Sequence, residues 1–405
     1  MKTATLAMNR LTAEARTPPA PVIVVGPPRD AIGGMATVVN QLAGFTFGNR
    51  YRVEPFAVTL SETEAEPFLS RARRHLAQGR RLATVIRRTG AEIVHVHTCS
   101  GFSFLRSALD LRVAARMGCR TVLHVHGGAF DQFHAQSSYV TRGFIGRVLA
   151  KADRTIALSA WWRDELKRMS PRADVVVIEN AVSIPDTLGE RRHGGPCRFL
   201  LLARMDDWKG IDDLLAAAGQ LRSAGLQFEL TLAGPPGSAG DEGILAAKIA
   251  RQALTGIVHY VGPVLGPAKE ELLRAADVYV QPSHHEGMPV SLLEAMALGL
   301  PVIATKVGAV AEMVTPEGDG VLVPPRAPDQ LAAAMMRLCA DPTMRNTLGA
   351  KGRDTIQRRF GLPRLEADIL ALYDSLRADE VRSASRSDRA EIQPTLPAST
   401  RLASI

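Results

Sequence analysis

Two glutamates, Glu286 and Glu294, bracket the run Glu286-Gly-Met-Pro-Val-Ser-Leu-Leu-Glu294, which lies between a strand-like stretch, Asp277 to Gln281, and a helix of Ala, Met and Leu ending at Gly299. The first carboxylate stands in a Gly/Pro loop just past a strand, where side chains and bare amides can face a ligand. Pro289 is expected at the first helical position, where its missing N–H costs nothing. The amides of Val290, Ser291 and Leu292 then form a helix N-terminus, which favours an anion. Glu294 falls about a turn and a half inside the same helix. A loop acid suits sugar hydroxyls, free amides suit a phosphate, and a helix acid suits a second hydroxyl group. Either glutamate alone would ordinarily be a solvated surface acid. Their spacing in one strand-loop-helix unit points to a sugar-nucleotide pocket.

Further groups stand at comparable places. Arg204 and Lys209 leave the end of one apolar run, separated by a short loop, with Gly210 at the entry to the next helix. Two cations there can clamp a diphosphate, the Arg through planar paired donors and the Lys as a point charge, or can pair with Asp206 and Asp207 on the surface. Gly33-Gly34 follows the first apolar run and lets backbone approach a ligand closely, as any tight turn of glycines does. His126 ends a strand before Gly127-Gly128, so its neutral ring can bond a hydroxyl or a phosphate, or simply cap the strand. His95/His97 and His124/His126 are two H-x-H pairs, but no nearby carboxylate completes a metal-site pattern. No metal ligand is assigned.

Composition narrows the class. The chain has 405 residues, enough for two domains, with 46% hydrophobic and 22% charged residues, as in a soluble globular protein. Its four cysteines show no C-x-x-C pairing, which suggests a reducing cytosol. Residues 1–20 lack a continuous apolar core, so no signal peptide is read, and no run approaches the ~20 apolar residues that span a bilayer. The net charge of +8 does not indicate nucleic acid, because aromatics are only 5% and no nucleic-acid-binding motif appears. The charge concentrates in Arg71 to Arg88, where Arg73/Arg74, Arg80/Arg81 and Arg87/Arg88 recur every seven positions. On a helix they form one stripe, with Leu76, Ala83 and Ile86 turned away. Such a stripe can face anionic lipid headgroups or plain solvent.

The elements that must position these residues alternate. Short apolar strands followed by helices run from Pro21 to Ile178, and a second series runs from Arg198 to Val323, which predicts two mostly parallel, doubly wound sheets. Ligands bind beyond the carboxyl ends of such strands, which places Gly33, Gly34, His97 and His126 on one rim. The expected division is a first domain over 21–183, a Pro/Gly/charge-rich linker over 184–197, a second domain over 198–360, a helix over 361–377 and a disordered tail over 378–405.

Taken in order, Gly33-Gly34, His126, Arg204 with Lys209, and Glu286 with Glu294 resemble the motif set of retaining glycosyltransferases of family 4, over roughly Val22 to Leu376. The resemblance implies a GT-B fold, two Rossmann-like domains facing each other across a cleft, with the helix over 361–377 crossing back to the first domain. It implies His126, Arg204, Lys209 and Glu286 as the catalytic group. Gly33, Gly34, Gly287, Met288, Pro289, Val290, Ser291, Leu292 and Glu294 would bind the donor, and Val261 to Val264 would touch its base. The family is usually retaining, and no carboxylate here is placed as a nucleophile. A same-face transfer in which the departing phosphate takes the acceptor proton is therefore implied. No D-x-D occurs, so a donor-bound metal is not expected, and no cofactor is expected beyond the nucleotide-sugar co-substrate. The expected partners are a GDP- or UDP-sugar, a lipid-linked saccharide acceptor for surface polysaccharide, and anionic membrane at the cytoplasmic face; nucleic acid is not among them. A GT-B sugar-nucleotide epimerase and a non-catalytic sugar-nucleotide-binding subunit remain alternatives.

Overall fold

The computed structural model describes residues 18–58, 68–188, 194–237 and 241–391. The first domain runs β1 (Ala20–Gly26), α1 (Gly34–Gly44), β2 (Tyr51–Ala57), α2 (Phe68–Thr89), β3 (Ile93–Thr98), α3 (Phe102–Arg116) and β4 (Arg120–Val125). It continues with α4 (Phe130–Gln136), α5 (Tyr139–Lys151), β5 (Arg154–Ala157), α6 (Ala160–Met169) and β6 (Val175–Val177). The second runs β7 (Cys197–Leu202), α7 (Ile211–Ser223), β8 (Phe228–Ala233), α8 (Asp241–Arg251), β9 (Val258–Tyr260), α9 (Gly266–Ala275) and β10 (Val278–Gln281). It continues with α10 (Val290–Ala297), β11 (Val302–Thr305), α11 (Val310–Met313), β12 (Val321–Val323), α12 (Pro328–Ala340) and α13 (Pro342–Arg359), before α14 (Leu362–Glu391).

Each domain holds a six-stranded parallel sheet, in the orders β2-β1-β3-β4-β5-β6 and β12-β11-β10-β7-β8-β9. Strands buried on both faces explain the continuous apolar runs, as in Val22-Ile-Val-Val25 and Phe199-Leu-Leu-Leu202. Right-handed crossovers place α2, α3, α5 and α6 on one face of the first sheet and α1 on the other. The cores agree: Leu82, Phe104, Ile145 and Trp162 share one apolar cluster, while Val39 and Leu42 of α1 share another with Val22, Ile93 and Val122.

The chain crosses between domains twice at one place. Val182 pairs in parallel with Gly361, and the Val182 amide donates to the Phe360 carbonyl at 2.9 Å. α14 then lies on the α1 side of the first sheet, burying Leu365, Ile369, Leu372, Tyr373 and Leu376. It runs to Glu391, so residues 378–391 are helical where the composition predicts disorder. No Gly or Pro interrupts 364–391, and Arg, Ala and Glu propagate a helix already anchored by packing. The rest of the predicted tail, and residues 189–193 of the predicted linker, lie outside the described residues. Among the described residues, no helix is long and apolar enough to cross a membrane.

The basic helix α2 differs from its sequence reading at one point. Leu82 and Ile86 are its buried contacts, whereas Leu76 is 56% exposed. Gly79 allows α2 to settle on α3, where an added Cβ would stand 3.4 Å from Val113, and Gln78 on the same turn donates to Asp110 at 2.8 Å. That contact sets the rotation of the helix and leaves Leu76 outside it.

Candidate active site in the interdomain cleft

The carboxyl ends of both sheets open on one cleft of about 710 Å³. From the first domain, Gly33, Gly34, His126, Gly127 and Gly128 line it; from the second come Arg204, Lys209, Glu286 to Ser291 and Glu294. Gly33 precedes α1 with φ 141° and ψ 163°, a conformation only glycine adopts freely. The domains touch beside the cleft through glycine. A Cβ on Gly128 would come within 2.7 Å of the Glu286 and Gly287 backbone, and one on Gly287 would strike the His126 carbonyl. Side chains lock the same seam. Glu312 of α11 accepts from the Ala160 and Trp161 amides at 3.0 and 2.7 Å, capping α6 from the opposite domain, and Asn180 donates to the Met288 carbonyl at 2.9 Å.

The charged wall belongs to the second domain, and its charges are already paired. Lys209 Nζ lies 2.6 Å from Glu286 Oε1, and the Gln281 amide donates to the same oxygen at 2.7 Å. The buried Tyr279 hydroxyl fixes that amide by donating to its carbonyl oxygen at 3.1 Å. Both donors go to Oε1, so Oε2 is left for a ligand. Lys209 also sits 4.2 Å from the Trp208 ring. Arg204, half exposed in the cleft, pairs with Asp206 at 2.5 Å, the surface alternative that its sequence neighbours allow. Lys269 of α9 lies 2.6 Å from Glu294 Oε1.

The first domain contributes a neutral wall. His97 lies beneath His126 and not on the rim where its strand-end position predicts it, because β3 extends to Thr98 and pairs His97 with His124. Alternation does turn all four histidines to one sheet face, where His97 Nδ1 is 2.8 Å from His126 Nε2, His124 Nδ1 is 3.2 Å from His95 Nε2, and His95 Nδ1 is 2.8 Å from Tyr373 of α14. Burial pushes His95 and His126 down to about 3 and holds His97 and His124 well below the usual histidine range, so all four are neutral at pH 7. Ligand nitrogens of His95, His97 and His124 lie within 4.8 Å of one another. The rings stack, however, with His95/His97 planes 13° and His95/His124 planes 22° apart. Nδ1 of all three rings and Nε2 of His95 are engaged with Tyr373, with His126 or with each other, while His97 Nε2 and His124 Nε2 are buried without a hydrogen-bond partner. The four rings form a packed, neutral column.

Pro289, Leu292 and Val261 are the remaining residues expected at the site. Pro289 is the residue before the helix, with φ −72° and ψ 116°, and Val290 opens it. The Leu292 side chain is buried in the core, because the helix turns that face onto the sheet, while the expectation there concerns its backbone amide in the first turn. Val261 is exposed outside the cleft, whose edge there is formed by Val264 and Leu265. Gln281, Lys269 and Glu312 went unforeseen: Lys269 and Glu312 act through partners 25 and 151 to 152 positions away, and Gln281, though only five positions from Glu286, meets it through a loop that no helix or strand period places.

Residues 32–184 match the sequence profile of Glycosyltransferase Family 4, and residues 196–341 match that of Glycosyl transferases group 1. The chain belongs to glycosyltransferase family 4. Its two facing parallel sheets are the GT-B fold. It is 28% identical over 277 residues to the glycogen synthase of Mycobacterium tuberculosis, a match covering 67% of this chain and 62% of that one. It is 27% identical over 326 residues to the MMP alpha-(1->4)-mannosyltransferase of Mycolicibacterium hassiacum, 71% of each chain. The match to the glycogen synthase thus leaves more than a third of that relative outside it. Among solved structures, a sucrose-phosphate synthase from Thermosynechococcus elongatus superposes with a TM-score of 0.77 at 22% identity, covering 89% of this chain and 100% of that one. The Anabaena protein HepE in complex with UDP-glucose superposes with a TM-score of 0.69 at 17% identity, covering 88% and 99%.

Proposed function

We propose that this family-4 protein is a retaining glycosyltransferase that moves a hexosyl unit from a GDP- or UDP-sugar to a lipid-linked saccharide in surface or exopolysaccharide biosynthesis. The observation that carries the reading is the convergence on one cleft of Glu286, Glu294, Arg204 and Lys209 from one sheet with Gly33, Gly34 and His126 from the other. The names of the mannosyltransferase and glycogen synthase relatives, and the UDP-glucose held by HepE, support sugar transfer from a nucleotide donor.

In this reading the donor diphosphate enters between Arg204, Lys209 and the amides at the start of α10, drawing each cation from its present carboxylate partner. Freed of Lys209 but still held by Gln281, Glu286 accepts hydroxyls of the transferred sugar, while Glu294 takes the ribose. Gly33 and Gly34 admit the phosphates without a Cβ in the way. His126, neutral, bonds sugar or acceptor at the reaction centre. As the glycosidic bond lengthens, negative charge develops on the diphosphate, and the two cations stabilise it where it forms. They take the place that a metal bound by a D-x-D pair would fill. The acceptor hydroxyl attacks from the departing side and gives its proton to the leaving phosphate. The basic stripe of α2 supplies contact with anionic lipid.

A thermal-shift screen against GDP- and UDP-sugars, with and without EDTA, followed by donor consumption with and without a saccharide acceptor, tests this. An EDTA-insensitive rise with one donor, of about 2.7 kcal/mol in stability at a hundredfold excess over its dissociation constant, is expected. Donor consumption should require the acceptor. Turnover without acceptor would indicate an epimerase or hydrolase, and binding without turnover a non-catalytic subunit.

A further inference from the structure

The first domain exposes an apolar face that no catalytic role uses. On α5, Tyr139 is 88% exposed, Val140 78% and Phe144 37%, while Ile145 and Leu149 of the same helix are fully buried. At 100° per residue, Tyr139, Val140 and Phe144 span one outward sector, and Arg147 and Lys151 continue it further along the helix. The first turns of α5 are thus apolar on both faces, which packing on the sheet does not require. Leu105 of α3 and Leu76 of α2 are also exposed. Right-handed crossovers place all three helices on one side of the sheet, with their N-termini at the cleft end.

Charge tells what this face meets. Helices α2, α3 and α5 contain a single carboxylate, Asp110, buried against Gln78, and no acidic residue occurs between Asp131 and Asp153. Exposed cations stand on the same three helices at Arg73, Arg80, Arg87, Arg112, Arg142, Arg147 and Lys151. A second copy of this chain would oppose one basic face to another, which repulsion disfavours. An anionic bilayer offers both halves of the complement: acyl chains for an aromatic and aliphatic tip, and phosphate headgroups for the cations behind it.

We infer that the N-terminal turns of α5, with Leu105 of α3, insert into the headgroup region of an anionic membrane, the basic stripe of α2 supplying long-range attraction and not the anchor. The cleft mouth then faces the bilayer surface, where a lipid-linked saccharide would present its sugar. This rests on the lipid-linked reading of the acceptor only for its purpose, because membrane binding is measured with neither donor nor acceptor present.

The test is co-sedimentation of the full chain with phosphatidylcholine vesicles that contain or lack phosphatidylglycerol. Binding should require the anionic lipid. The combined variant Tyr139→Ser, Val140→Ser, Phe144→Ser should bind about tenfold more weakly or worse while keeping the thermal midpoint and the donor-induced shift, because those side chains touch neither core nor cleft. Changing Arg73, Arg80 and Arg87 to Ser should weaken binding less, and chiefly at low salt. No binding by the wild-type chain would overturn the inference. So would full binding by the Ser variant, or a concentration-dependent dimer that the same variant abolishes. Loss of donor binding in the wild-type chain would instead strike the transferase reading and leave this one standing.

Discussion

The two walls of the cleft are built on opposite principles. The first domain offers glycine backbone and a column of neutral, stacked histidines, reached from Tyr373 at the back to His126 at the front. The second offers two lysine–glutamate pairs and an arginine–aspartate pair, charges that neutralise each other in the absence of a ligand. The contrast has a physical reason. In the proposed reading a diphosphate needs cations that can be redirected, and until it arrives each cation's carboxylate partner offsets part of the cost of burying its charge. A sugar and its acceptor need shape and unchanged hydrogen-bonding groups, which buried neutral rings supply.

Removing a charge should break the contrast hardest. Glu286→Ala or Lys209→Ala is expected to lower donor turnover about 10²- to 10³-fold. Each single variant strands its partner, so the double variant should be no less stable than either single one by chemical denaturation; strict additivity of the two losses would mean that the pair is not coupled. Gln281→Leu sharpens the point at the next level. Loss of a hydrogen bond to a charged group costs about 1.5–3 kcal/mol, so turnover should fall roughly ten- to a hundredfold while Tyr279 stays packed. A donor analogue lacking the hydroxyl held by Glu286 should lose most of that sensitivity.

On the neutral wall, Gly128→Ala pushes a methyl group against the Glu286 backbone and should cost about 1–3 kcal/mol of stability or open the seam between the domains. An unchanged melting midpoint together with unchanged activity would show that the domains do not close there. Acid should act on this domain gradually, over a wide range. The unfolded chain takes up protons on these histidines below about pH 6.5, whereas folded His95 and His126 resist until about pH 3. Stability is therefore full above pH 6.5 and falls as pH drops, by up to about 1.4 kcal/mol per pH unit for each of them. Denaturant midpoints from pH 7 to 4 measure the slope. A flat profile would mean that the rings accept protons in place.

Much of this was legible because it is local. Val22-Ile-Val-Val25 can only be a buried strand, Gly33-Gly34 can only follow it as a turn, and Glu286 and Glu294 are tied by one loop and one helix to a single strand end. The alternation of H-x-H placed four rings on one face. The same locality explains the misses. Leu76 lies about 120° around α2 from the buried Leu82, so the face that Gly79 seats against α3 leaves it outward. Val261 stands just past β9 and outside the cleft, whose edge is formed by Val264, from the same expected stretch, and by Leu265.

The sequence by itself determined the two parallel sheets, the loops at their carboxyl ends and the identities of the charged groups offered there, because strand, turn and helix preferences act over a few residues. Only the tertiary structure decided which oxygen of Glu286 is left for a ligand, that Lys269 holds Glu294, that Glu312 caps a helix of the other domain, and that Tyr373 closes the histidine column from the chain's far end. The contacts of Lys269, Glu312 and Tyr373 join residues 25 to 278 positions apart, and their partners are chosen by the packing of elements against one another and not by any pattern along the chain.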